Sequence, residues 1–361
     1  MDLLILSSAD VDTVIQKFTA PQLVNLMARV FIDLAASESS GQNSEVAIPH
    51  RNTIASTNHR ILFMPSRIAI YGTAVKIVSV PSAAAPADVK ERGLPGSTAV
   101  LDEHTGEVIA LVNARKLTAL RNAASSLLAT QLMLSRRNCE PHTFVAIGAG
   151  AQVAAHVSLF LTSYPTIHTC TIINRTLGER LNALIKSLEI SHPNVRIEGL
   201  SLHNQAGDQN PKLQRIIQTA NIIITATSST TPLFPSSYVS SGSHLCLIGS
   251  YTPAMHEVDT DLVHRASKVV VDYKQGASVE AGELITAGVG SGRIVGLGEL
   301  LDRSVNSDQW IAKEDAVEEV QRGDVTIFKS VGVGIQDVAI SRAVVDCAKE
   351  YGIGSVIPGY H

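Results

Sequence analysis

Residues 145–156 read VAIGAGAQVAAH. An apolar run gives way to glycine, alanine and glycine, and then to residues that favour helix. Turns of this composition cradle phosphates. Gly148 permits a tight bend and Gly150 lets backbone approach an anion. The N–H groups that open the next helix, at Ala151 and Gln152, then face it. Val153 stands where a third small residue lets helix and strand pack closely, a departure that costs closeness and not phosphate binding.

The next apolar run ends TIINRT. In a site for NAD, an acid near this place binds the ribose 2′-hydroxyl. Asn174 removes the repulsion a 2′-phosphate would meet, and the Arg175 guanidinium and Thr176 hydroxyl can bind one. The pattern predicts NADP(H) ahead of NAD(H), against the plainer reading of Arg175 as a solvated side chain at a strand end. TATSSTTP follows the fourth apolar run and offers Thr227 and Ser228 at the carboxyl edge, where a dinucleotide would lie.

Charged residues on apolar faces are the second signal. Arg121 shares a helical face with Leu117, Ala124 and Leu128. A charge there needs a partner. The small neighbours Ala124 and Ser125 leave room for a bound carboxylate or cofactor, and a structural salt bridge to another segment serves equally. Lys76 shares a strand face with Ala74, Val78 and Val80, where a snorkelling edge lysine is the bland alternative. Arg51, beside His50 at a strand end, says nothing alone, and His50 reads as structural or as part of a pocket rim.

GAGAQ, INRT, TALRNAA, IGSYTP and IFKSVG fall in order along nearly the whole chain. Together they resemble the ornithine cyclodeaminase/mu-crystallin family. The resemblance implies a Rossmann-type doubly wound parallel sheet inserted into an α+β substrate domain whose antiparallel sheet forms a homodimer. It implies chemistry on α-imino or α-amino acids. It assigns the substrate arginine to Arg51, the active-site lysine to Lys76, and to Arg121 a place at both substrate and cofactor, with Asn122 standing where threonine is usual. Cofactor contacts carry over to Ala151, Gln152, Asn174, Arg175, Thr176 and Thr227, to 245–248 with Leu247 and Ile248, to Ser330, and to the region of Ser97. Val331 carries over as a substrate contact. The family's cyclodeaminases hold an aspartate just before the proline of the fifth-strand loop. Tyr251 occupies that place, and no carboxylate lies in the loop before Glu257.

These residues suit a carboxylate substrate. Arginines bind carboxylate through two parallel hydrogen bonds, and a lysine can stabilise charge that moves during hydride transfer. The expected activity is NADPH-dependent reduction of a cyclic α-imino acid, such as pyrroline-2-carboxylate or piperideine-2-carboxylate. The alternatives are an amino-acid dehydrogenase or reductive aminase on a 2-oxo acid, an ornithine cyclodeaminase, and a non-catalytic NADP-binding protein of mu-crystallin type.

The elements that must position these groups follow from pattern. The first 40 residues read as helix, with Ser8 as an N-cap, followed by a polar loop, SESSGQNSE. EVAIPHRNTIAS, RILFMPSRIAI, YGTAVKIVSV and STAVLDEHTGEVIALVN alternate as strands of an antiparallel sheet, with a hairpin turn at DEHTGE. Helical period begins after Asn113, a candidate cap. From 142, strands at TFVAIGA, TCTIINR, VRIEGLS, NIIITATS, SHLCLIGS and KVVVDY alternate with helices, as in a parallel sheet covered on both faces. HNQAGDQNPK reads as a surface loop, QWIAKEDAVEEVQRG as helix, VTIFKSVG as a strand and 335–352 as a final helix. The expected division is 120–312 for the dinucleotide domain and 1–119 with 313–361 for the substrate and dimer domain.

The chain has 361 residues, 45% hydrophobic, with a formal charge of −4 and no basic block. With aromatics at 4%, a nucleic-acid surface is not expected. Cys139, Cys170, Cys246 and Cys347 lie far apart, so no metal site or redox dithiol is predicted and buried free thiols are. The N-terminus lacks a basic segment and a long apolar run, and a cytoplasmic protein without a membrane span is the expectation.

Overall fold

The computed structural model describes residues 2–40, 45–82, 84–135, 140–202, 210–304 and 309–361. Two compact units divide the chain, Met1–Arg121 with Val333–His361 and Asn122–Gly332.

The first unit begins with β1 (Leu3–Leu6), α1 (Ser8–Ile15), α2 (Ala20–Ser40), β2 (Val46–Ala47), β3 (Asn52–Ala55), β4 (His59–Ile68), β5 (Gly72–Pro81), α3 (Ala87–Glu91), β6 (Gly96–Leu101) and β7 (Val108–Asn113). α4 (Leu117–Leu134) follows, and Arg121 in its second turn is the last residue assigned to this unit before the chain returns at Val333. The second unit contains β8 (Thr143–Ile147), α5 (Ala151–Ser163), β9 (Thr169–Asn174), α6 (Glu179–Ser191), β10 (Arg196–Ser201), α7 (Pro211–Thr219), β11 (Ile222–Thr225), β12 (His244–Leu247), α8 (Thr260–Arg265), β13 (Ala266–Val271), α9 (Lys274–Glu280), α10 (Gly282–Thr286), β14 (Ile294–Gly296), β15 (Leu301–Arg303), β16 (Trp310–Ala312), α11 (Glu314–Gln321) and β17 (Val325–Lys329). α12 (Gly334–Tyr351) and β18 (Ser355–Ile357) complete the first unit.

The first unit is built on a sheet ordered β18-β1-β7-β6-β5-β4-β2, with β3 also pairing β4. Its pairings are antiparallel except β1 with β7. The expected hairpin turn joins β6 to β7, and Asp102 stabilises it by accepting the N–H groups of His104 (2.9 Å) and Thr105 (2.8 Å). α12 packs on β4 and β5. Its N-terminus comes so close that a Cβ on Gly334 would stand 2.0 Å from the Ser66 hydroxyl. It ends at Gly352, whose φ of 63° allows the reversal that closes the helix.

The second unit carries an all-parallel sheet ordered β10-β9-β8-β11-β12-β17-β13-β14. Chain direction across the sheet reverses between β8 and β11, the switch point at which such sheets bind ligands beyond their carboxyl ends. β11 and β12 are buried at every position, which is why their sequences are almost continuously apolar.

Several local expectations are corrected. The first 40 residues are not all helix, since Leu3–Leu6 is a strand between β7 and β18. Ser7, not Ser8, caps α1, in a reciprocal box with Asp10. α2 continues through Ser40 into the expected polar loop, of which 41–44 lie outside the described residues. EVAIPHRNTIAS is two short strands rather than one. Asn113 ends β7 and accepts the Arg115 N–H before α4 starts, so it does not cap the helix. Trp310–Ala312 is a strand paired with β15, and only 314–321 of that stretch is helix. VTIFKSVG supplies β17, which inserts between β12 and β13, so 313–332 belongs to the second unit. Of HNQAGDQNPK, 203–209 lie outside the described residues, and Asn210 caps α7. Cys170 and Cys246 are buried, Cys347 is partly exposed, and Cys139 lies outside the described residues.

Candidate functional site

In the first unit, strand register brings the cationic residues to one place. Lys76 lies opposite Met64 on β4 and Thr98 on β6, on the sheet face that α12 covers. Its ammonium donates to Asp337 Oδ2 at 2.6 Å. Arg121 donates through Nε to Asp337 Oδ1 at 3.3 Å and through Nη1 to Gln336 Oε1 at 2.7 Å. Arg51, half-buried just before β3, is close enough for its charge to act on Lys76. Lys76, Arg121 and Asp337 are all buried.

Electrostatics here are dominated by burial. It draws the Lys76 ammonium below the usual lysine range, Asp337 resists, and Arg121 and Arg51 add to the depression. For Asp337, burial would raise the carboxyl, but Arg121 and Lys76 outweigh it and hold the group below the usual carboxylate range. Two cations thus share one carboxylate, and a third acts on the lysine.

Ser97, the region of an expected cofactor contact, lies away from this cluster. Ser97 pairs with Ile77 and Asn113 and is exposed on the face opposite Lys76. The neighbouring Thr98 faces with Lys76, is buried, and leaves its hydroxyl without a hydrogen-bond partner. Sequence reading missed both Thr98 and Asp337. Strand alternation counted from Lys76 cannot cross the intervening loop, and Asp337 sits far along the chain on a buried helix face.

In the second unit the strand ends gather the dinucleotide candidates. Gly148, just past β8, has φ 123°, and a Cβ there would stand 2.7 Å from the Ala226 carbonyl oxygen. Only glycine suits that turn. Its N–H donates to the Ile173 carbonyl on β9 at 2.7 Å. Gly150 precedes α5 in extended conformation, with no side chain capping the helix. Ala151 is exposed, and the Oε1 of Gln152 is buried without a partner. Val153 is fully buried beside Gly148, so the departure from a small residue is absorbed by core packing. Asn174 ends β9, with its amide donating to the Thr176 carbonyl at 3.2 Å, and Arg175 and Thr176 are exposed beside it. Arg180, in the first turn of α6, brings a guanidinium to 3.4 Å from where a Cβ on Gly150 would lie, a cation that sequence reading did not single out. The bend and the uncapped helix start, whose backbone N–H groups are donors, fit a phosphate-bearing dinucleotide.

Other candidates are engaged by protein groups. Thr227 gives both its N–H (2.7 Å) and its hydroxyl (2.9 Å) to Glu257 Oε1. Glu257 Oε2 accepts from the Thr225 hydroxyl (2.8 Å) and the Gly249 N–H (2.7 Å). Burial pushes the Glu257 carboxyl above its usual range, while Lys329 and these donors favour its charged form. Gly249 is required for the close approach, since a Cβ would stand 2.0 Å from the Thr227 carbonyl oxygen. Ser228 is exposed at the same edge. Leu247 is wholly within the core, and the Ile248 N–H donates to the Thr225 carbonyl at 2.8 Å. Asp272 holds the tract after β17, accepting the Ser330 hydroxyl (2.6 Å) and the N–H groups of Val331 (3.2 Å) and Gly332 (2.7 Å). The Ser330 hydroxyl is therefore spent on Asp272, and Val331 remains half-exposed. Among the described residues, no cluster of His, Cys, Asp or Glu could hold a metal ion, and no helix is long and apolar enough to cross a membrane.

The chain is 29% identical over 340 residues to a Delta(1)-pyrroline-2-carboxylate reductase of Bacillus cereus, covering 93% of this chain and 96% of that protein. It is 31% identical over 272 residues to the enzyme of the same name from Colwellia psychrerythraea, covering 72% and 77%. Its fold matches that of Thermococcus litoralis Delta(1)-pyrroline-2-carboxylate reductase, solved with NADH and L-proline, with a TM-score of 0.75 at 22% identity over 98% of this chain and 99% of that one. The family model described as ornithine cyclodeaminase/mu-crystallin matches residues 9–352. With nearly its whole length so matched, the chain belongs to the ornithine cyclodeaminase/mu-crystallin family.

Proposed function

We propose that the protein is an NADPH-dependent oxidoreductase that reduces the C=N bond of a cyclic α-imino acid, a five- or six-membered ketimine carrying a carboxylate. The observation that carries this reading is the cationic cluster of the first unit, in which Lys76 and Arg121 share Asp337 and the charge of Arg51 acts on Lys76. Like charges brought together in a buried place favour an anion among them, and a substrate carboxylate supplies one. The names of the Bacillus and Colwellia relatives, and the NADH and L-proline held by the Thermococcus protein, support the same substrate class.

The residues then divide the work. Arg51 and Arg121 bind the carboxylate and fix its plane. Lys76 has three N–H groups and gives one to Asp337, leaving others for the imine nitrogen. It delivers the proton that the nitrogen gains. Gly148, Gly150, Ala151 and Gln152 hold the pyrophosphate, and Arg175 with Thr176 binds the 2′-phosphate that Asn174 does not repel. When bound, the dinucleotide supplies the hydride.

Cyclodeamination is disfavoured on a specific ground. Tyr251 stands where a carboxylate base is needed. Glu257, the first carboxylate after it, already accepts four hydrogen bonds. The protein also forms a homodimer on this reading. Ile54, Ile61, Phe63, Val75, Ile77 and Leu111 share the sheet face opposite Lys76, and Ile54 is 57% exposed there.

The tests are NADPH oxidation by the purified protein with cyclic ketimines and with 2-oxo acids, alone and with amines, and release of proline and ammonia from ornithine supplied with the oxidised dinucleotide. Turnover confined to cyclic ketimines is expected. Turnover only with a 2-oxo acid and an amine would replace the reading with reductive amination. Dinucleotide binding without any turnover would replace it with a non-catalytic role.

A further inference from the structure

We propose that Asp337 is a positioning residue of the reducing site, locking the Lys76 ammonium and the Arg121 guanidinium into one charged unit. The proposal rests on the reductase reading above and gives a role to a residue that reading leaves without one.

Geometry carries it. One carboxylate bridges two elements: Oδ2 accepts from Lys76 on β5 at 2.6 Å, and Oδ1 accepts from Arg121 on α4 at 3.3 Å. The side chains of Lys76, Arg121 and Asp337 are 4%, 3% and 5% exposed, so water does not substitute for the pairing. Backbone features place the carboxylate. Gly334 lets α12 settle against Ser66 on β4, and Asp337 lies one turn further along. Gln336 ties the same turn to Arg121, accepting from Arg121 Nη1 at 2.7 Å and from the Val333 N–H at 3.1 Å.

The charges that act on Lys76 are few. Arg121 from α4 and Arg51 from the segment before β3 are like charges, and Asp337 from α12 is the opposite one. Its neighbours across β4 and β6, Met64 and Thr98, are uncharged. Burial and both guanidiniums favour the neutral amine, and Asp337 favours the ammonium. Without that carboxylate the lysine loses its proton at lower pH, and the Arg121 fork loses a partner that sets its tilt.

The experiment compares the full-length protein with D337N and D337E. In D337N the alkaline limb of kcat/KM is expected to move to lower pH by at least one unit, which is about a tenfold loss at a fixed pH on that limb. A readout independent of turnover accompanies it: competitive labelling with trace acetic anhydride across pH, with the Lys76 peptide quantified by mass spectrometry. Its midpoint should fall in D337N and stay near that of the unmodified protein in D337E, while kcat falls in D337E because the carboxylate is displaced. An unchanged Lys76 midpoint and limb in folded D337N would overturn the proposal. If D337N does not fold, wild-type kcat in D337E would overturn it. Absence of ketimine turnover in the unmodified protein refutes the reductase reading alone, since the labelling midpoint still decides the role of Asp337.

Discussion

Replacing Glu257 by glutamine changes one oxygen to an NH2 group and nothing in shape. Each carboxylate oxygen of Glu257 accepts one backbone N–H and one hydroxyl, from Thr227 on one side and from Gly249 and Thr225 on the other. Whichever way the amide turns, its NH2 meets a backbone N–H that cannot reverse, whereas the hydroxyls can. One charge-assisted bond worth about 1.5–3 kcal/mol is lost, and the stranded N–H adds about 1–3 kcal/mol. Hydroxyl reorientation and relaxation recover part, so about 3 kcal/mol of destabilisation is expected. At roughly 2–4 °C per kcal/mol for a unit of this size, the thermal midpoint should fall by about 6–12 °C. Because Thr227 and Gly249 lie beyond β11 and β12 at the dinucleotide edge, NADPH should also bind several-fold more weakly. Differential scanning calorimetry and fluorescence titration measure the two effects. An E257Q protein with unaltered stability and cofactor affinity but no turnover would refute the reasoning, because it would make Glu257 a base rather than a strut.

Three further outcomes follow from other parts of the structure. NADPH should bind more tightly than NADH, and Arg175→Ala should remove most of the difference in a binding titration, while equal affinities in the unmodified protein would contradict the 2′-phosphate reading. Ile77→Glu places a charge on the apolar face opposite Lys76 and should turn a dimer into a monomer by light scattering; an unmodified protein that is already monomeric at micromolar concentration contradicts the interface. Burial lowers the His156 pKa from 6.5 to about 4, against a hydrogen bond to the Gln152 carbonyl, so the unfolded chain takes up that proton first. Stability should therefore be complete above pH 6.5 and fall by roughly 3 kcal/mol as pH drops toward 4, a dependence that His156→Gln should flatten in urea titrations.

The parts legible in sequence were those in which one local pattern decides the structure. The parallel strands were readable because burial on both faces leaves almost no polar residue in IIIT at 222–225 or HLCL at 244–247. The glycine turn after β8 was readable because Gly148 meets a steric demand that no other residue satisfies. What escaped depended on partners distant in the chain. LLIL at 3–6 is too short to show a period and becomes a strand only through β7 and β18. VTIFKSVG reads as a strand, but nothing local says that it enters the parallel sheet between β12 and β13. The placement of Thr98 rather than Ser97 beside Lys76 turns on a one-residue register, which the loop after β5 conceals. Arg121 lay on an apolar face and needed a partner, but its carboxylate is Asp337, 216 residues later.

The central claim, hydride delivery to the carbon beside the carboxylate of a cyclic imine, is tested most directly by isotope transfer. NADPH deuterated at the transferable position is incubated with pyrroline-2-carboxylate or piperideine-2-carboxylate and the purified protein, and the product is analysed by mass spectrometry. Proline or pipecolate bearing one deuterium at the carbon next to the carboxylate, formed with the protein and lost in Lys76→Ala, is the predicted result. Unlabelled substrate recovered intact, together with proline and ammonia formed from ornithine, would contradict the account and make the protein a cyclodeaminase that works without a carboxylate at position 251.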